Sequence, residues 1–301
     1  MTPQQNKIRK MLAEKQGILL VHYYARPDIQ EIADVLGDSL ALAQAAARSE
    51  AKVIVFAGVH FMAQSAAILS PQKTVLLPRL DAGCPLADMA TTDAVKKMRQ
   101  REPDAVFVTY INSTAEVKAA CDICCTSSNA VKIIQTLPPS PKVVMLPDGN
   151  LARHVASVSG KDIIAWEGCC PVHQSLTAEA IAARKQEHPR ALFVAHPECR
   201  PEVLALADFV GSTAAILRFA RETEAKEIII GTEEGIFAEL QKHNPDKTFI
   251  LASPALFCAD MKKITLDDIE KSLVTMRPVI TVSREVSLAA KNALDKMLAL
   301  S

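Results

Sequence analysis

The 301-residue sequence predicts an α/β fold: three pseudo-threefold-related αβα units with small parallel sheets around a central site. Three observations predict it. Short apolar runs alternate with helix-period stretches along the whole chain, the pattern of parallel strands crossed by helices. The alternation recurs about every 86 residues. In each recurrence the chemistry-bearing side chains fall where a strand ends, the edge at which open parallel sheets bind ligands.

The elements follow in order. "GILLVHYY", "VIVFAG" and "TVLLP" read as buried strands of the first copy, because each is a short, β-branched-rich run bounded by polar or turn residues. "AVFVTYI", "KVVMLP" and "DIIAW" do the same in the second copy, and "ALFVAH", "EIIIGT" and "TFILA" in the third. "SLALAQAAARSEA" and "EEGIFAELQKH" place apolar residues at helical spacing. "LPPSPK" is a turn. The copies divide the chain into a first repeat over 1–97, a second over 98–184, and a third over 185–301 that includes a C-terminal segment.

Bulk composition excludes some classes of function. Lys plus Arg is 34 and Asp plus Glu is 34, so no net charge favours nucleic acid or an acidic membrane. No run of 18 apolar residues is present, and the start "MTPQQNKIRKMLAEKQ" has no apolar signal core, so a cytoplasmic protein is expected. Eight cysteines in such a compartment point away from a disulfide framework. They are either small buried hydrophobes or ligands.

The repeat decides which cysteines matter. "AVKKMRQREPDAVFVTY" and "AIAARKQEHPRALFVAH" superpose with a shift of 86, placing Pro103 on Pro189, Phe107 on Phe193 and Tyr110 on His196. Extended outward, His22, Tyr110 and His196 close the first strands. Seventeen residues later come the hydroxyls Ser39, Ser127 and Thr213, at expected helix starts. Then, after 45, 43 and 45 residues, come Cys84, Cys170 and Cys258, each behind the copy's fourth strand. Cys169 is out of step and reads as a packing residue. Three converging thiolates leave a metal one ligand short. They suit either a catalytic zinc or a four-iron cluster whose open iron is a Lewis acid. "CDICC" contains a C-x-x-C but has no second pair, and reads as a helix end running into a strand.

Around these thiols, His22, Tyr24, Tyr110, Asn112, His196 and Glu198 gather at first-strand ends, where acid–base and hydrogen-bonding groups suit catalysis. Ser39, Ser127, Ser212 and Thr213 read as helix N-caps, and three such helix starts aimed at one cavity also form an anion site. His60 and His173 are equally consistent with packing or with supporting the site. His154, His188 and His243 read as solvated.

At this point the motifs resemble a known family. "VHYYARPDIQEIADVLGDSL", "GVHFMA", "YINSTAEVKAACDICCTSSNA", "CPVHQ", "HPEC", "VGST", "IIIGTEEG" and "CADMKKITL", in this order over about residues 17–275, look like quinolinate synthase. The resemblance implies three α/β domains around a central [4Fe-4S] cluster held by Cys84, Cys170 and Cys258. It also implies a transferase reaction in de novo NAD biosynthesis, in which iminoaspartate and dihydroxyacetone phosphate condense to quinolinate with loss of phosphate and two waters. Iminoaspartate-binding groups fall on His22, Ser39, Tyr110, Ile111, Asn112, Ser127, His196, Pro197, Glu198, Ser212 and Thr213. The catalytic candidates are Tyr24, Glu198, His22 and His196, with Glu198 as the base. A functional link to L-aspartate oxidase is implied, with neither nucleic acid nor membrane as partner. The chain departs from the family pattern at Tyr23, where many members carry Asn, and in its short form "LDAGCPLADM" before and around the first cysteine. The competing readings are an iron–sulfur hydro-lyase and a non-enzymatic iron–sulfur sensor. A sensor needs a partner-binding segment, and the sequence shows none.

Overall fold

The computed structural model describes all 301 residues. The first sheet comes from α1 (Pro3–Glu14), β1 (Gly17–His22), α2 (Pro27–Gln30), β2 (Val35–Gly37), α3 (Ser39–Arg48), β3 (Val53–Ala57), α4 (His60–Leu69) and β4 (Thr74–Leu76). The same order then recurs with α5 (Thr92–Arg101), β5 (Val106–Tyr110), α6 (Ala115–Ala119), β6 (Ile123–Cys125), α7 (Ala130–Thr136), β7 (Val143–Leu146), α8 (Gly149–Ser159) and β8 (Ile163–Ala165). After a short α9 (Pro171–Gln174) it recurs once more: α10 (Ala178–Glu187), β9 (Leu192–Ala195), α11 (Pro201–Leu204), β10 (Phe209–Val210), α12 (Thr213–Glu222), β11 (Glu227–Gly231), α13 (Phe237–His243) and β12 (Thr248–Leu251). Helices α14 (Leu266–Thr275) and α15 (Arg284–Ala299) close the chain.

The three sheets have one topology. Their orders are β2-β1-β3-β4, β6-β5-β7-β8 and β10-β9-β11-β12, and every pairing within them is parallel. The strand order reverses beside β1, β5 and β9. The crevice at such a reversal is where an open parallel sheet presents a ligand site.

The second strand of each sheet, only two or three residues long, has no alternation to announce it. An aspartate just before it makes up for its length. Asp34, Asp122 and Asp208 accept the backbone N–H of Leu19 (2.8 Å), Phe107 (2.7 Å) and Phe193 (2.7 Å) on the neighbouring first strand. Each also pairs with a cation from the opening helix, Arg9, Arg99 or Lys185, at 2.7, 3.1 and 2.9 Å. The partly exposed ion pairs contribute at most ~1 kcal/mol each. The hydrogen bonds to a charged acceptor contribute more, about 1.5–3 kcal/mol each.

Capping repeats as well. Thr2, Thr91, Thr177 and Thr265 cap α1, α5, α10 and α14, each hydroxyl accepting from the third residue on. Lys73, Lys161 and Lys247 donate to carbonyls at the ends of α3, α7 and α12. By its cap, α14 is a fourth copy of the opening helix, and it packs against α1.

Burial follows the alternation of the strands. Phe193 and Ala195 join one apolar cluster and Val194 joins the other, on the opposite face of the third sheet. The first and second sheets share a larger core with α14 and α15, and α15 lies along α6, β6 and α4. No helix is long and apolar enough to cross a membrane.

Candidate active site

The carboxyl ends of the three sheets open on one cavity. It is lined by Cys84, Cys170 and Cys258, and by His22, Tyr24, Ser39, Tyr110, Asn112, Ser127, His196, Glu198 and Thr213. Ile111, Pro197 and Ser212 are buried but do not line it. Ile111 donates its N–H to Cys125 O at 2.8 Å, and Ser212 caps α12. The remaining wall includes Val59, Phe61, Met62, Val172 and Met261, which keep the chamber largely apolar.

The first-strand ends are built alike. His22 Nδ1 accepts the N–H of Tyr24 at 3.1 Å, and His196 Nδ1 accepts the N–H of Glu198 at 3.3 Å. Burial lowers the pKa of each imidazole to about 3, with Lys262 adding to the effect at His22. Both rings are therefore neutral and carry their proton on Nε2. His196 Nε2 lies 3.3 Å from Ser127 Oγ. Each ring therefore presents an N–H at Nε2. In the second copy Tyr110 and Asn112 take the same two positions. Asn112 Oδ1 is buried without a partner, a polar atom left for a ligand to satisfy.

A hydrogen-bonded chain crosses the chamber. His173 Nδ1 lies 2.7 Å from Glu198 Oε2, and its Nε2 lies 2.9 Å from Thr232 Oγ1. Thr232 Oγ1 is 2.7 Å from Tyr24 Oη, which is 2.8 Å from Thr213 Oγ1. With Nδ1 donating to the carboxylate, Nε2 accepts from Thr232, and Thr232 accepts from Tyr24. Burial disfavours the charge on Glu198, but hydrogen bonds from His173 and Tyr110 favour it and hold its carboxyl below the ordinary range. Burial raises Tyr24 and Tyr110, so both keep their hydroxyl proton. His173, equivocal in the sequence, is thus central. Thr232 lies within "IIIGTEEG", but the equivalent places in the other copies hold Gly58 and Pro147, so the repeat does not mark it.

The helix starts differ in detail from the sequence expectation. Ser212 is a true N-cap, accepting from Ala215 N at 3.3 Å. Ser39 and Thr213 are first helical residues, and the caps of α3 and α7 are Asp38 and Asn129. Asp38 is the better cap because its carboxylate also reaches across. The Ser128 hydroxyl bridges Asp38 Oδ2 (2.5 Å) and Ser212 Oγ (2.7 Å), tying three helix starts together at the cavity.

The other cysteines are placed elsewhere. Cys169 does not line the cavity, and its N–H points at Met89 Sδ, 3.3 Å away. Cys121, Cys124, Cys125 and Cys199 are buried, with thiols pushed up by burial, and all eight cysteines are free. Helix α6 ends just before "CDICC", which leads into β6.

Cys170, His173 and Glu198 place their ligand atoms within 4.8 Å of one another, as a single ion requires, whereas the three cavity cysteines do not form such a set. Their wider spread suits a group larger than one ion. Burial pushes Cys84 up to about 12 and raises Cys170 and Cys258, so loading with metal must release protons.

Comparison with known proteins decides the family. The model of the family described as Quinolinate synthetase A protein matches residues 6–299. The chain belongs to the quinolinate synthase family. It is 54% identical over 296 residues to the quinolinate synthase of Geotalea uraniireducens, covering 98% of this chain and 97% of that protein. The same coverage gives 52% with the quinolinate synthase of Geobacter metallireducens. Quinolinate synthase 1 of Methanosarcina acetivorans is 48% identical over 293 residues, 97% of this chain and 96% of its own length. The likeness to these family members therefore extends across all three sheets and is not confined to one of them.

Proposed function

We propose that this chain is a cytoplasmic quinolinate synthase, condensing iminoaspartate with dihydroxyacetone phosphate to quinolinate, phosphate and two waters. The observation that carries the reading is the convergence on one chamber of one cysteine from each sheet, beside the chain Tyr24–Thr232–His173–Glu198. Cys84, Cys170 and Cys258 would hold a [4Fe-4S] cluster. When bound, it supplies an iron without a protein ligand, a Lewis acid for substrate oxygen or nitrogen.

The protein's own groups divide the remaining work. The Nε2–H groups of His22 and His196, with the hydroxyls of Ser39, Ser127 and Thr213, offer donors for the carboxylates of iminoaspartate and for the phosphate. Asn112 Oδ1 is an acceptor for the imine N–H or a substrate hydroxyl. The condensation needs proton removal from carbon and proton delivery to departing oxygens. As Tyr24 Oη takes the proton from substrate carbon, its own hydroxyl proton passes through Thr232 to His173 Nε2, so no free phenolate forms; the fixed charge of Glu198 stabilises the imidazolium, and the relay run in reverse returns the proton to a departing oxygen. Glu198, assigned from sequence as the base, thereby acts as the partner that makes His173 one. The apolar wall limits hydrolysis of the imine. Because the imine is short-lived in water, an amino-acid-oxidising enzyme such as L-aspartate oxidase must supply it nearby.

The test is anaerobic reconstitution with iron and sulfide, followed by assay with both substrates. Quinolinate formation dependent on both, and on the cluster, is expected. A cluster-loaded protein that forms none contradicts the reading and favours a hydro-lyase or sensor.

A further inference from the structure

Two buried carboxylates have no part in the chemistry above. Asp148 and Glu233 stand at equivalent places, two residues beyond the third strands β7 and β11, and are 1% and 0% exposed. Each divides its two oxygens in the same way. Asp148 Oδ1 accepts Leu151 N–H at 2.8 Å, capping α8, while Oδ2 accepts Cys170 N–H at 3.1 Å. Glu233 Oε2 accepts Gly235 N–H at 2.7 Å, capping the turn Glu234–Ile236, while Oε1 accepts Cys258 N–H at 3.0 Å and Lys262 Nζ at 2.7 Å. The first copy has Val59 there, and its cysteine loop is tied instead by His60 N–H to Ala82 O (2.8 Å) and by Gly83 N–H to Asp260 Oδ1 (3.3 Å).

We propose that Asp148 and Glu233 are positioning residues for the cluster, each locking the backbone of one ligating cysteine to the helix start of its own sheet before the cluster arrives. This rests on the cluster reading above. A hydrogen bond from the cysteine N–H fixes the orientation of the whole residue, and so the direction in which Cα–Cβ enters the cavity. It has a second consequence. The N–H of a ligating cysteine is a common donor to cluster sulfur, and such bonds raise the reduction potential. Here both N–H groups are taken by carboxyl oxygens, so the cluster is kept hard to reduce. That suits a Lewis acid rather than an electron carrier.

Asp148→Asn separates this role from helix capping. Asparagine caps as well as aspartate, so its oxygen keeps Leu151 N–H while its amide nitrogen meets Cys170 N–H, donor against donor. Glu233→Gln does the same at Cys258. Both variants and wild type are reconstituted anaerobically with iron and sulfide. Thermal melting of the metal-free chains checks the fold, and two quantities are read: the rate at which an iron chelator strips the cluster, and its midpoint potential. Loss of an outer hydrogen bond to a metal ligand typically costs about 10–100-fold in metal affinity. Stripping faster by that order is expected, with the potential moved upward in both variants. Cluster retention and potential equal to wild type in both would overturn the proposal. If wild type itself took up no iron and sulfide, the cluster reading would fail, and this proposal with it.

Discussion

Glu198 and His173 touch at 2.7 Å with side chains 4% and 2% exposed, so a change at either is felt undiluted by solvent. Glu198→Gln preserves shape but removes the charge that stabilises a protonated His173. Turnover should fall on the order of 10²–10⁴-fold while iron content and substrate binding stay near wild type. Steady-state kinetics beside iron analysis read this, and a near-normal rate would remove Glu198 from the relay. Thr232→Val keeps volume but cuts the link from Tyr24 to His173, and a similar loss of kcat with KM little changed is expected. The neutral imidazoles also set a pH dependence. His22 and His196 titrate at about 3 in the folded chain, against ~6.5 when unfolded. Between those values the unfolded chain binds two protons that the folded chain does not. The two rings therefore leave stability unchanged above pH ~6.5 and lower it as pH drops through the window, by about 1.4 kcal/mol per pH unit for each ring. Asp148, raised by burial and by Glu198, contributes with the opposite sign, so the comparison must be differential. Urea unfolding of the metal-free chain from pH 6.5 to 5 should show a shallower slope for His22→Asn than for wild type; equal slopes would mean that His22 is charged in the folded state.

Among the elements, the loop carrying Cys170 shows how tightly backbone placement serves the site. Gly149 N–H meets Gly168 O at 2.7 Å, and a Cβ on Gly168 would sit 2.3 Å from Pro147 O. Only a residue without a side chain fits there. Gly168→Ala must displace the backbone two residues before the ligand, so cluster occupancy should drop while far-ultraviolet circular dichroism still reports intact sheets. Full occupancy in this variant would show that the loop adapts freely. At this scale the sequence was legible where elements are long. All nine apolar runs are strands, and "SLALAQAAARSEA" forms α3. "EEGIFAELQKH" splits into a short turn and α13 because Glu233 caps the turn early. The second strands β2 and β10 gave no periodic signal, since two or three residues cannot alternate, and their stability lies in aspartate side chains fifteen residues from the N–H groups they hold.

For the whole molecule, the internal repeat made half of the chamber readable. Cys84, Cys170 and Cys258, and the first-strand ends, occupy equivalent positions in three copies, so spacing alone brought them together. What spacing could not reveal are groups without a counterpart in the other copies. His173 lies 59 residues from Thr232 in sequence, and Tyr24 lies 208 from it; only the folded arrangement of sheets makes them neighbours. Asp38 and Ser128 join helix starts of different sheets in the same way. The proposed chemistry rests on the convergence itself, because no single sheet supplies more than one of the three cavity cysteines. The most direct measurement is therefore an iron and sulfide count on anaerobically reconstituted wild type, Cys170→Ala and Cys169→Ala. Wild type and Cys169→Ala should each hold about four irons and four sulfides per chain, and Cys170→Ala should hold no stable cluster. A cluster retained in Cys170→Ala but lost in Cys169→Ala would contradict the threefold convergence on which the proposed chemistry rests.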